Sequence, residues 1–325
     1  MLTNRFRPCA ARWRGLGRRQ SGRIPGAAAA AQPMGTSTQH TPPEAAAWPA
    51  RDRARMRWRS LTRSARLLPD FLILGGQRCG STSLYTMLGG HPQVMEASHK
   101  EVHFFDNNHL RGEDFYRRVF PLRAHAAARE RYLGNRVVTG EATTYYLAHP
   151  AVPERVAALL PEARLIAILR DPVDRAHSHY QLSVRAGREP LSFEEALAAE
   201  PQRLAGEHER LLEDPEYRGY AHRYHSYRTR GLYLEQLEGW WEHFSPQQLL
   251  VLRSEDMFAD PAAVYRETAA FLGLEPDLRR TFAARNRIEY DTMAPETRAQ
   301  LRASFAEPNR TLEQRLGRTM DWQAP

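Results

Sequence analysis

From Asp70 onward, short apolar runs alternate with stretches of helical spacing. Phe71-Leu72-Ile73-Leu74 is unbroken apolar sequence closed by Gly75-Gly76, as expected of a parallel strand covered on both faces. Ser81 to Leu88 follows with helical spacing. Val137-Val138, Leu165 to Leu169 and Leu249 to Leu252 repeat the strand pattern. Helical stretches lie between them at Val152–Leu160 and around Tyr233–Phe244, and a last one, Ala262 to Leu272, is closed by Gly273. This alternation predicts an α/β fold: a single P-loop-like domain with a central parallel sheet flanked by helices. No internal repeat is present. The stretch 186–229 is rich in Arg, Glu and Tyr and reads either as helices lining an acceptor cleft or as a solvated face.

Residues 1–67 break this pattern. They hold no sustained hydrophobic period, an alanine run at 27–31 and prolines at 33, 42, 43 and 49 among others, and they carry 14 arginines against Glu44 and Asp52 alone. The whole chain has a formal charge of +8, so the remainder is mildly acidic and the basicity belongs to the N-terminal segment. The expected division is an Arg-rich, disordered extension over 1–67 and a folded domain over 68–325, with a mitochondrial-type presequence as the alternative for the first part. This distribution argues against a nucleic-acid partner. No run of about 20 apolar residues occurs, so no membrane span is expected. The only cysteines are Cys9 and Cys79, too far apart in context to suggest a structural bridge. A reducing, cytoplasmic setting follows as the expectation, with organelle import through the arginines as the minor alternative.

The candidate chemistry begins at Gly75-Gly76-Gln77-Arg78-Cys79-Gly80-Ser81-Thr82-Ser83, between the first strand and its helix. The first amides of a helix have no intrahelical acceptor and sit at the positive end of its dipole, and glycines allow the backbone to close around an anion. Three consecutive hydroxyls add donors. A nucleoside-triphosphate loop would place Lys after the last glycine; here Ser81 follows Gly80, and the nearest cation is Arg78. A second element, Leu169-Arg170-Asp171-Pro172 through Ser178-His179-Tyr180, begins at a strand end and enters a helix at Pro172. It puts Arg170 at the carboxyl edge of the sheet with Ser178 two turns on, able to meet it on one anion. A third, Lys100-Glu101-Val102-His103-Phe104-Phe105-Asp106, reads as extended, with Glu101 and His103 on one side. The 13 histidines are scattered, and no metal site is expected.

The first element, followed by His91-Pro92, resembles the 5'-phosphosulfate loop of sulfotransferases that use 3'-phosphoadenosine 5'-phosphosulfate (PAPS), of the heparan-sulfate type and its bacterial relatives. Arg78 stands where that loop commonly has Lys. The resemblance implies that Gln77, Arg78, Cys79, Gly80, Ser81, Thr82 and Ser83 form the 5' side of the donor site, with Arg78 also catalytic, on the bridging and sulfuryl oxygens. Arg170 and Ser178 match the family's two 3'-phosphate ligands. Lys100 to Asp106 is similar to a stretch of glucosaminyl 3-O-sulfotransferases, which implies Glu101 as base, with His103 and Asp106 supporting it or, with Lys100, binding acceptor. Looser similarity covers Gly231-Leu232-Tyr233, Asp260-Pro261 and the region up to Trp322, and the adenine-side loop is expected near Arg285-Asn286-Arg287. The implied function is sulfuryl transfer to a hydroxyl or amine of an acceptor, a small molecule or a glycan, leaving adenosine 3',5'-bisphosphate (PAP). The alternatives are a P-loop kinase or nucleotide-binding transferase and a non-catalytic nucleotide-binding module.

Overall fold

The computed structural model describes residues 57–275, 282 and 292–322. The chain divides into two units, residues 1–47 and 48–325, and the first lies outside the described residues. Five strands, β1 (Phe71–Gly75), β2 (Val94–Glu96), β3 (Val138–Ala142), β4 (Arg164–Leu169) and β5 (Leu249–Arg253), form one parallel sheet in the order β2-β3-β1-β4-β5. Every residue of β1 and β3 is buried; this accounts for the unbroken apolar sequence of β1, whereas β3 carries Thr139 and Glu141 among its buried residues.

The strand side chains alternate between two cores. Leu72, Leu74, Leu165, Ala167, Leu169 and Val251 join one cluster, which also takes in Trp240 and Leu312. Phe71, Ile73, Ile166, Ile168 and Leu252 join the other, with Leu84, Leu88, Val264 and Tyr265. Trp240 lies on α9 (Tyr233–Trp241) and Leu312 on α12 (Pro295–Leu316), whereas α1 (Ser81–Gly89) and α11 (Pro261–Phe271) cover the opposite face. Fully burying each large apolar side chain contributes about 1.5–3 kcal/mol, so this two-sided sheet is the rigid body on which the loops are mounted. The remaining helices are α2 (Gly112–Arg117), α3 (Arg123–Leu133), α4 (Val152–Leu159), α5 (Pro172–Arg185), α6 (Phe193–Arg203), α7 (Glu207–Glu213), α8 (Tyr220–Tyr224) and α10 (Ser254–Ala259).

Two expectations need correction. Residues 57–61 are helical, and Arg59 and Arg66 both bond to the Phe120 carbonyl, so the folded body begins before residue 68. Arg66 is only 1% exposed, with its guanidinium 4.8 Å from the Trp58 ring. Its charge is met by carbonyl, hydroxyl and ring partners, which composition alone reads as a solvated tail. The extended reading of residues 100–106 also stops short: His103 has φ 52°, and Phe104–Asn108 forms a single wide turn.

The strand order sets the site. After β1 the chain leaves toward β2, and after β4 it leaves toward β5, so the loops following the two neighbouring strands diverge. The crevice between such loops is where α/β sheets bind ligands.

Candidate active site

The β1–α1 loop is shaped by two glycines that no other residue can replace without strain. Gly75 has φ 122°, and a Cβ there would lie 2.6 Å from the Thr144 carbonyl oxygen; Gly80 has φ 99° and is closed in by Met257. The Gly76 amide bonds to the Ile168 carbonyl at 2.6 Å, and the Ser254 hydroxyl donates to the Cys79 carbonyl at 2.8 Å. No side chain caps the start of α1. Its first-turn amides are therefore directed into the crevice beside Ser81, which is buried, and Ser83, which is half-buried, while Thr82 is exposed. Cys79 is enclosed in the core, and burial pushes its thiol up to about 11; only its backbone belongs to the loop.

The second element converges on this loop. Asp171 caps α5 by accepting from the Val173 and Asp174 amides, which fixes the turn carrying Arg170. Arg170 lies 3.4 Å from the Arg78 carbonyl and 3.7 Å from the Asp174 carboxylate. The Arg78 Nε donates to the Ser178 Oγ at 2.9 Å, joining positions 100 residues apart. Tyr233 donates to the Arg170 carbonyl at 2.8 Å and anchors the strand end from α9. Arg78, Arg170 and Ser178 thus form one cationic corner.

Beside it lies the acidic and histidine cluster. Glu101 Oε1 accepts from Thr144 Oγ1 at 2.8 Å and pairs with Lys100 Nζ at 3.2 Å, while its Oε2 lies 3.1 Å from His103 Nε2. His103 Nδ1 meets Asp106 at 2.6 Å. Burial disfavours the Glu101 charge, yet the His103 hydrogen bond and the Lys100 charge hold its carboxyl well below the usual range. Burial also works against the His103 imidazolium, but Asp106 and Glu101 outweigh it and raise the ring to about 9. Arg223 Nη2 approaches the same Nε2 at 2.8 Å and opposes this shift, one cation against two carboxylates. The Asp106 side chain has no exposure, so of its two expected roles the geometry leaves the supporting one.

Two further cations are Arg223, within the stretch 186–229, and Arg230, directly after it. Arg230 is 5% exposed and donates to Gln77 Oε1 at 2.7 Å, to the Thr144 carbonyl at 3.3 Å and to the Arg223 carbonyl at 3.3 Å. It bridges the phosphate loop and the Glu101 cluster. Burial pulls its guanidinium down to about 10. Arg223 stacks 5.5 Å from the Tyr145 ring, which Arg230 also faces at 5.2 Å. Neither arginine stood out in the sequence, where both lie in or beside a charge-rich stretch without a motif. Arg285-Asn286-Arg287 lie outside the described residues. Among the described residues, no group of three His, Cys, Asp or Glu side chains is placed to hold a metal ion.

The family model described as "Sulfotransferase domain" matches residues 68–303. A crystal structure of a sulfotransferase from Alicyclobacillus acidocaldarius superposes with a TM-score of 0.59 at 32% identity, over 79% of this chain and 100% of that one. The bifunctional heparan sulfate N-deacetylase/N-sulfotransferase 3 of Homo sapiens is 33% identical over 64% of this chain, which spans only 23% of its length. The membrane-associated sulfotransferase kil1 of Dictyostelium discoideum is 27% identical over 79% of this chain and 67% of its own. Similarity to a membrane-associated relative overturns the cytoplasmic expectation, although no described helix is long and apolar enough to cross a membrane. The cysteine content that suggested it reports on disulfides and carries no signal for surface association.

Proposed function

The chain belongs to the sulfotransferase family, and from that premise we propose that it moves the sulfuryl group of PAPS to a hydroxyl or amine of a carbohydrate acceptor, with Glu101 as the base. The transferase domain in this reading is the region 68–325, with residues 57–66 packed onto it through Arg59 and Arg66. The carrying observation is the meeting of two anion-binding elements, Arg78 with Ser178 at 2.9 Å and Arg170 with the same loop, next to a carboxylate kept ionised. A donor with a 3'-phosphate and a 5'-phosphosulfate calls for two anion sites. The site also fits an anionic guest because Arg230 is buried with every hydrogen bond on a neutral oxygen and beside the cations Arg175 and Arg223, so an anion would neutralise positive charge there.

The bound donor supplies an activated sulfuryl group and leaves as PAP. The α1 amides with Ser81 and Ser83 hold the 5' end, while Arg170 and Ser178 hold the 3'-phosphate. Glu101 takes the proton of the acceptor hydroxyl or amine as the acceptor atom bonds to sulfur and the sulfur–oxygen bond to the 5'-phosphate breaks. A carboxylate paired with Lys100 and His103 is a weak base. Transfer of Lys100 from Glu101 to the charge developing on the sulfuryl oxygens strengthens the base as the transition state is reached. His103, kept protonated by Asp106, holds Glu101 Oε2 and orients the carboxylate.

The heparan sulfate relatives favour a glycan. Incubation with radiolabelled PAPS and a panel containing N-desulfated heparan sulfate, simple glycosides, lipids and small hydroxylated metabolites tests the assignment. Label is expected in a carbohydrate, and Glu101→Gln is expected to lower turnover about 100-fold or more, in the range of a lost general base, with PAP affinity retained. Label confined to non-carbohydrates would remove the acceptor assignment, and near-normal turnover of the variant would remove the base.

A further inference from the structure

The segment carrying Glu101 lies across the end of β3 and is held there by hydroxyl groups. Thr143 Oγ1 accepts from the Val102 amide at 3.0 Å and the His103 amide at 3.3 Å. Tyr146 Oη accepts from the Phe104 amide at 2.9 Å and the Phe105 amide at 3.3 Å. Four successive backbone N–H groups thus end on two hydroxyl oxygens. Each oxygen has two lone pairs, both engaged, so each hydroxyl must send its own proton elsewhere. Both send it to Glu141, Thr143 to Oε2 at 2.7 Å and Tyr146 to Oε1 at 3.0 Å, and Tyr116 adds a third donor to Oε1 at 2.7 Å. Glu141 is fully buried at the end of β3.

We propose that Glu141 is a positioning residue for the transfer reaction: its carboxyl oxygens, which accept from three hydroxyls, orient the Thr143 and Tyr146 hydroxyls so that they clamp the Val102–Phe105 backbone and fix Glu101 and His103 beside the donor loop. The inference rests on the proposed role of Glu101. The direction of every bond in the relay is determined. An amide at position 141 would turn an NH₂ group toward either Thr143 or the tyrosines. There it meets an oxygen with no free lone pair, and the displaced hydroxyl proton loses its acceptor. Glu141→Gln keeps shape and volume but reverses one bond, which places the fault in polarity and not in packing. Thr144, next along the chain, holds Glu101 Oε1 directly, so backbone and carboxylate are set from one strand end.

Hydrogen exchange on the full chain, followed by mass spectrometry, reads the clamp without acceptor or donor. Glu141→Gln, Thr143→Val and Tyr146→Phe are each expected to speed exchange in peptides covering Val102–Phe105 by about tenfold or more, the scale of one lost buried acceptor. Peptides of β1, β4 and α5 should be unchanged, and Thr143→Ser should restore the protected rate. In parallel, kcat for transfer to N-desulfated heparan sulfate should fall while PAP affinity by calorimetry stays within about twofold, since the clamp touches only the Glu101 side. Unchanged exchange over Val102–Phe105 in Thr143→Val and Tyr146→Phe overturns the proposal, as does PAP affinity falling as far as kcat. If Glu141→Gln folds poorly, the Thr143→Val and Thr143→Ser pair decides. A wild type that binds no PAP would sink the donor assignment, while the exchange result would still judge the clamp.

Discussion

Arg230 offers the sharpest test of whether the site is built for an anionic donor. Its guanidinium is 5% exposed, and its three hydrogen bonds end on Gln77 Oε1 and the carbonyls of Thr144 and Arg223. No carboxylate among the described residues forms an ion pair with it. Breaking an ordinary buried ion pair by removing one partner costs about 3–5 kcal/mol, because a charge is left behind. Here Arg230→Met leaves no charge behind. It abandons three neutral acceptors, at about 1–3 kcal/mol for each one left unsatisfied, and it removes the desolvation cost of a buried cation, several kcal/mol. These terms offset, so the stability of the donor-free protein should change by no more than about 2 kcal/mol. With donor bound, the same substitution removes a desolvated cation from an anion, worth about 2–5 kcal/mol, or thirtyfold upward in affinity. Calorimetric binding of PAPS without acceptor, alongside urea unfolding of the free protein, separates the two quantities. Donor affinity within twofold of wild type, or a stability loss above about 4 kcal/mol, would show that Arg230 is a structural tie and refute the reasoning.

Other expectations follow from the same geometry. Ser178→Ala should weaken PAP by about 1–3 kcal/mol, the scale of a hydrogen bond to a charged group, and leave adenosine 5'-monophosphate nearly unaffected; equal losses in titrations of the two nucleotides would contradict a 3'-phosphate role. The His103 cluster gives stability a defined pH window. His103 is raised from 6.5 to about 9, so its contribution is complete below 6.5 and fades as pH rises through 9. Glu101 and Asp106 are lowered, so theirs is present above the ordinary carboxylate range and fades as pH falls through their depressed values. Urea unfolding of His103→Gln should therefore differ most from wild type between about pH 5 and 6.5, and the difference should shrink as pH rises through 9; a constant difference at every pH would refute the assignment.

What could be read in advance divides along one physical line. β1, β4, β5 and the phosphate loop were legible because each is a contiguous signal: an apolar run, then glycines that the backbone requires at φ 122° and 99°. Arg170 and Ser178 could be singled out because a strand end and the helix that directly follows it hold them at a fixed spacing. β2 was not, since three residues with one buried side chain leave no period to detect. Asp106 was visible, but whether it faced an acceptor or a histidine depended on a turn at His103 that interrupts the extended run. Arg223, Arg230 and Glu141 were invisible for a stronger reason. Arg230 acts on Gln77, 153 positions away, and Glu141 acts on Val102–Phe105 only through two hydroxyls. Their meaning is created by the β2-β3-β1-β4-β5 order, which brings the ends of β1 and β3 together beneath the segment preceding α8 and α9. Sequence motifs marked the groups proposed to meet the donor and the proton. The groups that hold those in place are ordinary residues at positions that only the sheet order makes special, and they are where substitution should separate binding from turnover.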